Sequence, residues 1–257
     1  MTDLILVSDE NAVRTIRFNR SDKKNAITRA MYSAMAEALV SANTDPVRAA
    51  IIAGSDGVFS AGNDMIDFME SPPDFGGETL PPVAQFMRAL IGCEKPVIAA
   101  VDGLAIGIGT TLLLHCDLVY ATARSTFATP FVNLALAPEF GSSQILPGVV
   151  GRAVASELLL LGERWDAERA EAKLLINGIL PEEGFEDAIK AKAQTLANFA
   201  PGAVKEAKKL INTPPQDLLE HMYAENEIFS AQLRSQEFNE AATAFMERRA
   251  PDFSKFG

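Results

Sequence analysis

Three short apolar segments constrain the fold of this chain more than any other feature. They are Ala49–Ala53, Pro96–Val101 and Asp117–Ala121. Each has the length of a strand and is apolar almost throughout, which is typical of strands that are buried on both faces. The intervals between them hold candidate helices, and parallel strands require such crossovers. The pattern therefore predicts parallel pairing inside a layered α/β domain.

The ends of the chain differ from this central pattern. Leu4–Val7 and Val13–Phe18 carry apolar residues at nearly alternate positions around a turn-prone segment, which predicts a β-hairpin. From Gly151 onward strand signals nearly vanish, and helical spacing of apolar residues predicts successive helices, among them Ala153–Leu161 and Pro215–Arg234. We therefore expect an α/β core in residues 1–190 and a helical region in residues 191–257 of the same fold.

Composition narrows the class of partner. The chain has 257 residues, 48% of them hydrophobic, and a formal net charge of −11. Nucleic acid requires a basic face, so it is not an expected partner. No apolar run has the ~18 residues of a membrane span, and the first residues show no secretory signal pattern. Two cysteines without metal spacing fit a reducing compartment, so we expect a cytoplasmic protein without a membrane partner.

Three loops carry the chemistry that the sequence suggests. They are Ser60–Asp64, Gly103–Gly109 and Ala137–Gly141, and each is a bend that ends in or leads into a helix. Two such bends can direct backbone N–H groups to one point, which is how proteins stabilise a developing negative oxygen. The third loop contains one carboxylate, Glu139. We expect Glu139 to transfer protons.

Four ordered blocks of the sequence resemble the enoyl-CoA hydratase/isomerase (crotonase) superfamily. The blocks are Asn19-Arg20…Lys24-Asn25-Ala26, Phe59–Asp64, Ala100–Gly109 and Cys116–Ala121. The resemblance implies a crotonase, or ClpP-like, spiral of ββα units with a helical C-terminal trimerisation region. It also implies an acyl-CoA substrate of fatty-acid β-oxidation, with coenzyme A as part of the substrate and no metal or redox cofactor.

The resemblance also implies specific site residues. The backbone N–H groups of Ala61 and Ile108 would bind the thioester carbonyl oxygen as an oxyanion hole. The residues expected to bind the substrate or its CoA part are Lys24, Ala26, Ser60, Gly62, Asn63, Asp64 and Phe131.

The acid/base groups separate the activities within this superfamily. Members that hydrate a double bond use two carboxylates, which would fall at Thr111 and Phe131, and neither residue is acidic here. The segment from Pro130 to Ser143 is similar to peroxisomal-type Δ3,Δ2-enoyl-CoA isomerases, whose single catalytic glutamate stands at the place of Glu139. The resemblance therefore implies an isomerase.

Several of these residues have a simpler structural interpretation. Glu139 could be an exposed acid at a helix start, and Asp64 could cap the following helix. Lys24 could be an ordinary surface charge, and His115 is more typical of a structural residue than of a catalytic one. A 2-enoyl-CoA hydratase and a non-catalytic acyl-CoA-binding protein remain alternative functions.

Assembly gives the first prediction. The C-terminal helices carry more apolar residues than one helical layer needs, including Leu161, Leu174 and Phe245, and surplus apolar faces usually pack against another subunit. Proteins of the family that this sequence resembles form trimers or pairs of trimers. We therefore expect a homotrimer or hexamer. Light scattering should give a mass near three or six times 27.6 kDa. A stable monomer at micromolar concentration would contradict this expectation.

Overall fold

The computed structural model describes residues 3–199, 201–212, 218–249 and 251. Its strands are β1 (Ile5–Glu10), β2 (Val13–Phe18), β3 (Ala49–Ala53), β4 (Val97–Val101), β5 (Leu104–Ile106), β6 (Leu118–Ala121), β7 (Thr126–Ala128), β8 (Trp165–Asp166) and β9 (Gly178–Ile179). Its helices are α1 (Arg29–Ala42), α2 (Met65–Glu70), α3 (Pro82–Ile91), α4 (Ile108–Thr111), α5 (Ser142–Val150), α6 (Arg152–Ser156), α7 (Ala167–Ala172), α8 (Phe185–Asn198), α9 (Pro201–Ile211), α10 (Leu218–Leu233) and α11 (Gln236–Glu247). A 3-10 turn, Leu112–His115, continues directly from α4.

The main sheet has the strand order β1-β2-β3-β4-β6-β9, and β5-β7-β8 form a smaller sheet. The first two strands make the predicted antiparallel hairpin. The three apolar strands of the sequence, β3, β4 and β6, lie side by side and in parallel. The predicted α/β class and parallel pairing are confirmed.

Alternation along the strands divides the core into two layers. Ile52 on β3 belongs to the larger apolar cluster with α1 and α3, whereas its neighbour Ile51 packs with Phe185 and Ile189 of α8. Successive strand residues point to opposite faces, so strands buried on both sides must be apolar at every position. This is why β3 reads as an uninterrupted apolar run.

Two glycines allow the loops beside the sheet to touch backbone to backbone. A Cβ on Gly103, which has φ +82°, would lie 2.0 Å from the carbonyl oxygen of Gly57. A Cβ on Gly62 would lie 2.7 Å from the carbonyl oxygen of Ile106. Side chains larger than hydrogen do not fit there. The Gly62 contact brings the loop Ser60–Asp64 against the segment Gly103–Gly109, and the Gly103 contact brings that segment against Gly57.

The C-terminal part is more irregular than the sequence predicts. The expected helix Ala153–Leu161 consists of α6 and a π-helical turn, Glu157–Leu161, and the short strands β8 and β9 are additional. The expected helix from residue 215 begins in the described chain at Leu218, because residues 213–217 lie outside the described residues. The division expected at residue 190 falls within α8, which packs on the main sheet. The two-part organisation itself stays a prediction.

None of the helices in the described residues is both long enough and apolar enough to cross a membrane.

The glycine contact gives the second prediction. Gly103→Ala should lower the free energy of unfolding by more than about 2 kcal/mol, because it adds a clash to an unfavourable left-handed conformation. The matched control is Gly148→Ala in α5, where a Cβ meets nothing within 4 Å, and it should be neutral or slightly stabilising. Urea unfolding followed by circular dichroism measures both, and equal stabilities for the two variants would contradict the argument.

Candidate active site

A cavity of about 470 Å³ brings most of the predicted site residues together. The predicted residues that line it are Lys24, Ala26, Ala61, Gly62, Asn63, Asp64, Ile108 and Phe131. Its remaining walls are mostly apolar and include Phe68, Leu134, Leu136, Phe229, Phe245 and Met246. Ser60 and Glu139 are not among its lining residues. The cavity thus joins the N-terminal loops to the last two helices.

The two backbone N–H groups expected to form the oxyanion hole differ in whether they are already hydrogen-bonded. The Ala61 N–H donates to the carbonyl oxygen of Lys24 at 2.9 Å, so it is not free to bind a ligand, and its assignment as an oxyanion donor is wrong. The Ile108 N–H begins α4 at the cavity wall, and no acceptor for it is recorded among the described residues. Ile108 therefore keeps its predicted role as a candidate donor.

Asn63 offers the second candidate donor, which the sequence reasoning assigned to the wrong residue. Ile27 donates to the Gly62 carbonyl at 2.8 Å and accepts from the Asp64 N–H at 2.9 Å. Backbone groups alternate in direction along an extended segment, so the Asn63 N–H points away from Ile27. Within the described chain, no acceptor for this N–H is recorded, and Asn63 lines the cavity. No sequence signal separates residue 61 from residue 63, because the pairing of the segment decides the direction.

Ser60 shapes the loop and does not line the cavity. Its side chain is fully buried, and its hydroxyl donates to the carbonyl oxygen of Asn25 at 2.9 Å and accepts the Gly62 N–H at 3.1 Å. Lys24 and Asn25 adopt left-handed conformations with φ near 52° and 53°. The hydroxyl of Ser60 therefore stabilises an unfavourable turn at the cavity rim.

The carboxylate of Asp64 is fully engaged within the protein. Oδ1 accepts the N–H groups of Ile66 and Asp67, which caps α2, and Oδ2 accepts Arg20 Nη1 at 2.6 Å. Burial acts to raise the pKa of Asp64, but the hydrogen bonds from Asp67 and Arg20 outweigh it and hold the pKa below its usual value. The capping interpretation that the sequence left open is thus the observed one.

Glu139 is buried, with 2% of its surface exposed, which excludes an exposed acid at a helix start. Thr111 Oγ1 donates to Glu139 Oε1 at 2.5 Å, and Ser142 Oγ donates to the Glu139 carbonyl at 2.6 Å. Thr111 lies three residues after Ile108 on α4, which is about 4.5 Å along a helix axis. The residue that holds the carboxylate therefore lies about one helical turn after the candidate donor at the cavity wall.

A second cavity, of about 720 Å³, adjoins this one at Phe68. Phe68 lines both cavities, whereas Tyr32 lines the second and donates its hydroxyl to Asn63 Oδ1. Burial raises the pKa of Tyr32 well above its usual value, and the nearby charge of Glu139 raises it further. Tyr32 is therefore a neutral hydrogen-bond donor beside the carboxylate.

Two other predicted residues occupy contrasting environments. Phe131 is buried at the cavity wall, as its expected role in a dry pocket requires. Lys24 is exposed at the same cavity, and no ion pair is recorded for its ammonium group in the described part of the chain. An exposed lysine without an acidic partner can contact an anionic ligand or remain solvated, so its CoA-binding role stays a prediction.

The Arg20–Asp64 ion pair gives the third prediction. Asp64→Asn keeps a capping oxygen but removes the charge, so the free energy of unfolding at neutral pH should fall by about 0.5–1 kcal/mol. Because the folded pKa of Asp64 is lowered, its contribution is present above the usual aspartate pKa and is lost as pH falls through the lowered value. The difference from the unmodified protein should therefore shrink in acid.

Urea titrations at several pH values measure this dependence. Asp56→Asn is the control, since Asp56 is exposed and has no recorded ion-pair partner among the described residues. A constant difference for Asp64→Asn across the acid range would contradict the linkage.

The match to known proteins extends over almost the whole chain. Residues 8–255 match the family model described as enoyl-CoA hydratase/isomerase. A rat protein named Enoyl-CoA delta isomerase 2 is 36% identical over 253 residues, which is 95% of this chain and 64% of the rat protein. The Escherichia coli K12 1,2-epoxyphenylacetyl-CoA isomerase is 32% identical over 263 residues, covering 99% of both chains. This chain thus spans less than two thirds of the rat relative.

Solved structures agree with the sequence matches. The Pseudomonas aeruginosa protein OdaA superposes with a TM-score of 0.92 at 48% identity, covering 96% of this chain and all of that one. An enoyl-CoA hydratase/isomerase from Pseudoalteromonas atlantica T6c gives a TM-score of 0.93 at 38% identity and covers 98% of this chain. The expected crotonase fold is confirmed, and the chain belongs to the enoyl-CoA hydratase/isomerase family.

Proposed function

We propose that this protein is a Δ3,Δ2-enoyl-CoA isomerase that moves the double bond of a 3-enoyl-CoA into conjugation with its thioester. The observation that carries the proposal is the buried carboxylate of Glu139, held by Thr111 one helical turn behind the Ile108 N–H. Among the described residues that line the smaller cavity, the one carboxylate is Asp64, which is bound by Arg20 and by the start of α2. One base is what this isomerisation requires.

The thioester oxygen would bind the backbone N–H groups of Asn63 and Ile108. Both residues line the same cavity, and each N–H is without a recorded acceptor in the described chain. Negative charge builds on this oxygen when a proton leaves C2. Loss of one such donor commonly costs about 3–4 kcal/mol of transition-state stabilisation, so a pair makes the C2 proton removable.

Glu139 would then carry one proton between two carbon atoms. Its carboxylate removes a proton from C2, and the electron pair of that C–H bond delocalises over the thioester oxygen and the C3–C4 double bond. The resulting acid returns the proton to C4, and the remaining double bond lies between C2 and C3. The carboxylate is regenerated and no water is consumed.

The hydratase alternative is weaker because neither position expected to carry its carboxylates does so. Phe131 forms a buried apolar wall, and Thr111 offers a hydroxyl that is already bonded to Glu139. A water molecule needs polar partners to be held and activated. A non-catalytic acyl-CoA-binding protein would not need a buried acid bonded to the helix that carries the Ile108 N–H.

The CoA part of the substrate would be held by local contacts. The protein has a formal net charge of −11, so its overall field opposes an anionic carrier. Lys24 at the cavity rim supplies a nearby positive charge for a phosphate, and the last helices close the cavity with Phe245 and Met246. An acyl chain too long for this cavity would extend past Phe68 toward the second one.

The base assignment gives the fourth prediction. Glu139→Gln keeps the size of the side chain but removes the base, so turnover of a 3-enoyl-CoA should fall by at least ~100-fold while acyl-CoA affinity changes little. The assay follows the absorbance of the conjugated 2-enoyl thioester. The control Glu37→Gln alters an exposed glutamate on α1 and should keep normal turnover.

Hydration of a 2-enoyl-CoA by the same preparation distinguishes the alternatives. It should be far slower than isomerisation. Comparable rates of hydration and isomerisation would favour a hydratase, and no turnover of either substrate would favour a binding protein. Near-normal turnover of the 3-enoyl-CoA by Glu139→Gln would remove this residue from the mechanism.

A further inference from the structure

The turn that carries Glu139 is conformationally unfavourable. Phe140 and Gly141 both have left-handed conformations, with φ values of 58° and 68°. A left-handed conformation is unfavourable for a bulky residue such as Phe140 and persists only when the surroundings impose it. The side chain of Phe140 is completely buried. Whatever holds Phe140 therefore also fixes the backbone next to Glu139.

His115 holds this residue through two contacts. Its ring stacks on the Phe140 ring with centroids 3.9 Å apart and planes inclined by 20°. Its Nε2–H lies 2.7 Å from the Phe140 carbonyl oxygen, and because that oxygen can only accept, the bond assigns the proton to Nε2. Both contacts act on the residue that follows Glu139.

Thr111 holds the carboxylate itself. Its side chain is buried, and Oγ1 donates to Glu139 Oε1 at 2.5 Å. The Thr111 N–H donates to the Gly107 carbonyl at 3.0 Å, so the residue that orients the carboxylate is itself fixed by the backbone. A hydrogen bond to a carboxylate is directional and stronger than a neutral one, so it favours a single orientation of the acid.

Thr111 and His115, which make these contacts, belong to one continuous helical segment. Thr111 ends α4 and His115 ends the 3-10 turn that continues it, so the two residues are four apart. The segment starts with Ile108 at the cavity wall. One short helical element therefore carries the N–H that would donate to the thioester carbonyl and both residues that contact Glu139 or its turn.

We propose that Thr111 and His115 are positioning residues that fix the Glu139 carboxylate relative to the bound thioester. Thr111 orients the carboxylate through its hydroxyl, and His115 locks the left-handed turn behind it. The proposal rests on the proposed function in that Glu139 is the base. Thr111 stands where the resemblance places a carboxylate of the hydratases. His115 is a residue for which the sequence indicated only a structural role.

Two titratable neighbours of this turn are uncharged near neutral pH. Burial lowers the pKa of His115 to about 4 although the bond to Phe140 acts in the opposite direction, so His115 is neutral near pH 7. Burial and the charge of Glu139 raise the pKa of Tyr32, so Tyr32 is neutral there as well. Neither group changes its charge near pH 7, so a change of activity there does not report His115 or Tyr32.

The test compares Thr111→Val, which keeps the shape and removes the hydroxyl, with Thr111→Ser, which keeps the hydroxyl. A hydrogen bond to the ionised acid favours ionisation, so Thr111→Val should move the acid limb of kcat/KM upward by about one pH unit. It should also lower kcat about 10- to 100-fold with KM changed less than about twofold. Thr111→Ser should restore most of the turnover and the original limb.

His115→Phe keeps the stacked ring and removes the N–H donor. We expect kcat to fall about 10-fold while the acid limb stays in place, because the carboxylate keeps its bond to Thr111. Thermal unfolding of every variant is measured in parallel. Variants that lose thermal stability but keep the unmodified kcat and acid limb would show that these residues serve folding alone, which overturns the proposal.

A second measurement does not depend on turnover. The ¹³C signal of the Glu139 carboxyl, identified by its loss in Glu139→Gln, can be titrated in protein labelled at glutamate. Its midpoint should rise in Thr111→Val and return in Thr111→Ser. Absence of isomerase activity in the unmodified protein would refute the proposed function, whereas an unmoved ¹³C midpoint in Thr111→Val would refute the positioning role.

Discussion

The direct backbone contact between the loop Ser60–Asp64 and strand β5 is the constraint on which the site depends. Ser60 donates to Leu104 at 2.8 Å and accepts from Ile106 at 2.9 Å, so the loop joins the small sheet as a short parallel bridge. Gly62 keeps the space above the Ile106 carbonyl open. Because the two segments touch without intervening side chains, the N–H groups of Asn63 and Ile108 can face one cavity.

The same contact links the cavity to the buried acid. Strand β5 leads through Gly107 into α4, and α4 continues into the turn that ends at His115. The segment from Ile108 to His115 therefore reaches from the cavity wall to the support behind Phe140. A carbonyl bound at one end and a base held at the other would keep a fixed separation, which is what proton transfer between neighbouring carbon atoms needs.

Much of the candidate site could be predicted from sequence because it is built from local motifs. The sequence predicts roles for Glu139, Ile108 and Phe131, which stay predictions, and the described structure buries Glu139 beside Thr111 and places the other two at the cavity. Ala61 was predicted wrongly as a donor to the thioester oxygen, because its N–H donates to the carbonyl oxygen of Lys24. Residues 61 and 63 lie in one extended segment, and only its pairing with Ile27 decides which N–H groups are consumed.

The sequence by itself determined the α/β class, the parallel apolar strands and the family, because these follow from periodicity and from motifs in fixed order. Tertiary structure alone decided that Asp64 is bound to Arg20, that Thr111 supports Glu139, and that His115 contacts Phe140. These pairs are separated by between 25 and 44 residues. Contacts at such separations depend on how the loops pack, and no local pattern of residues encodes which polar groups become partners.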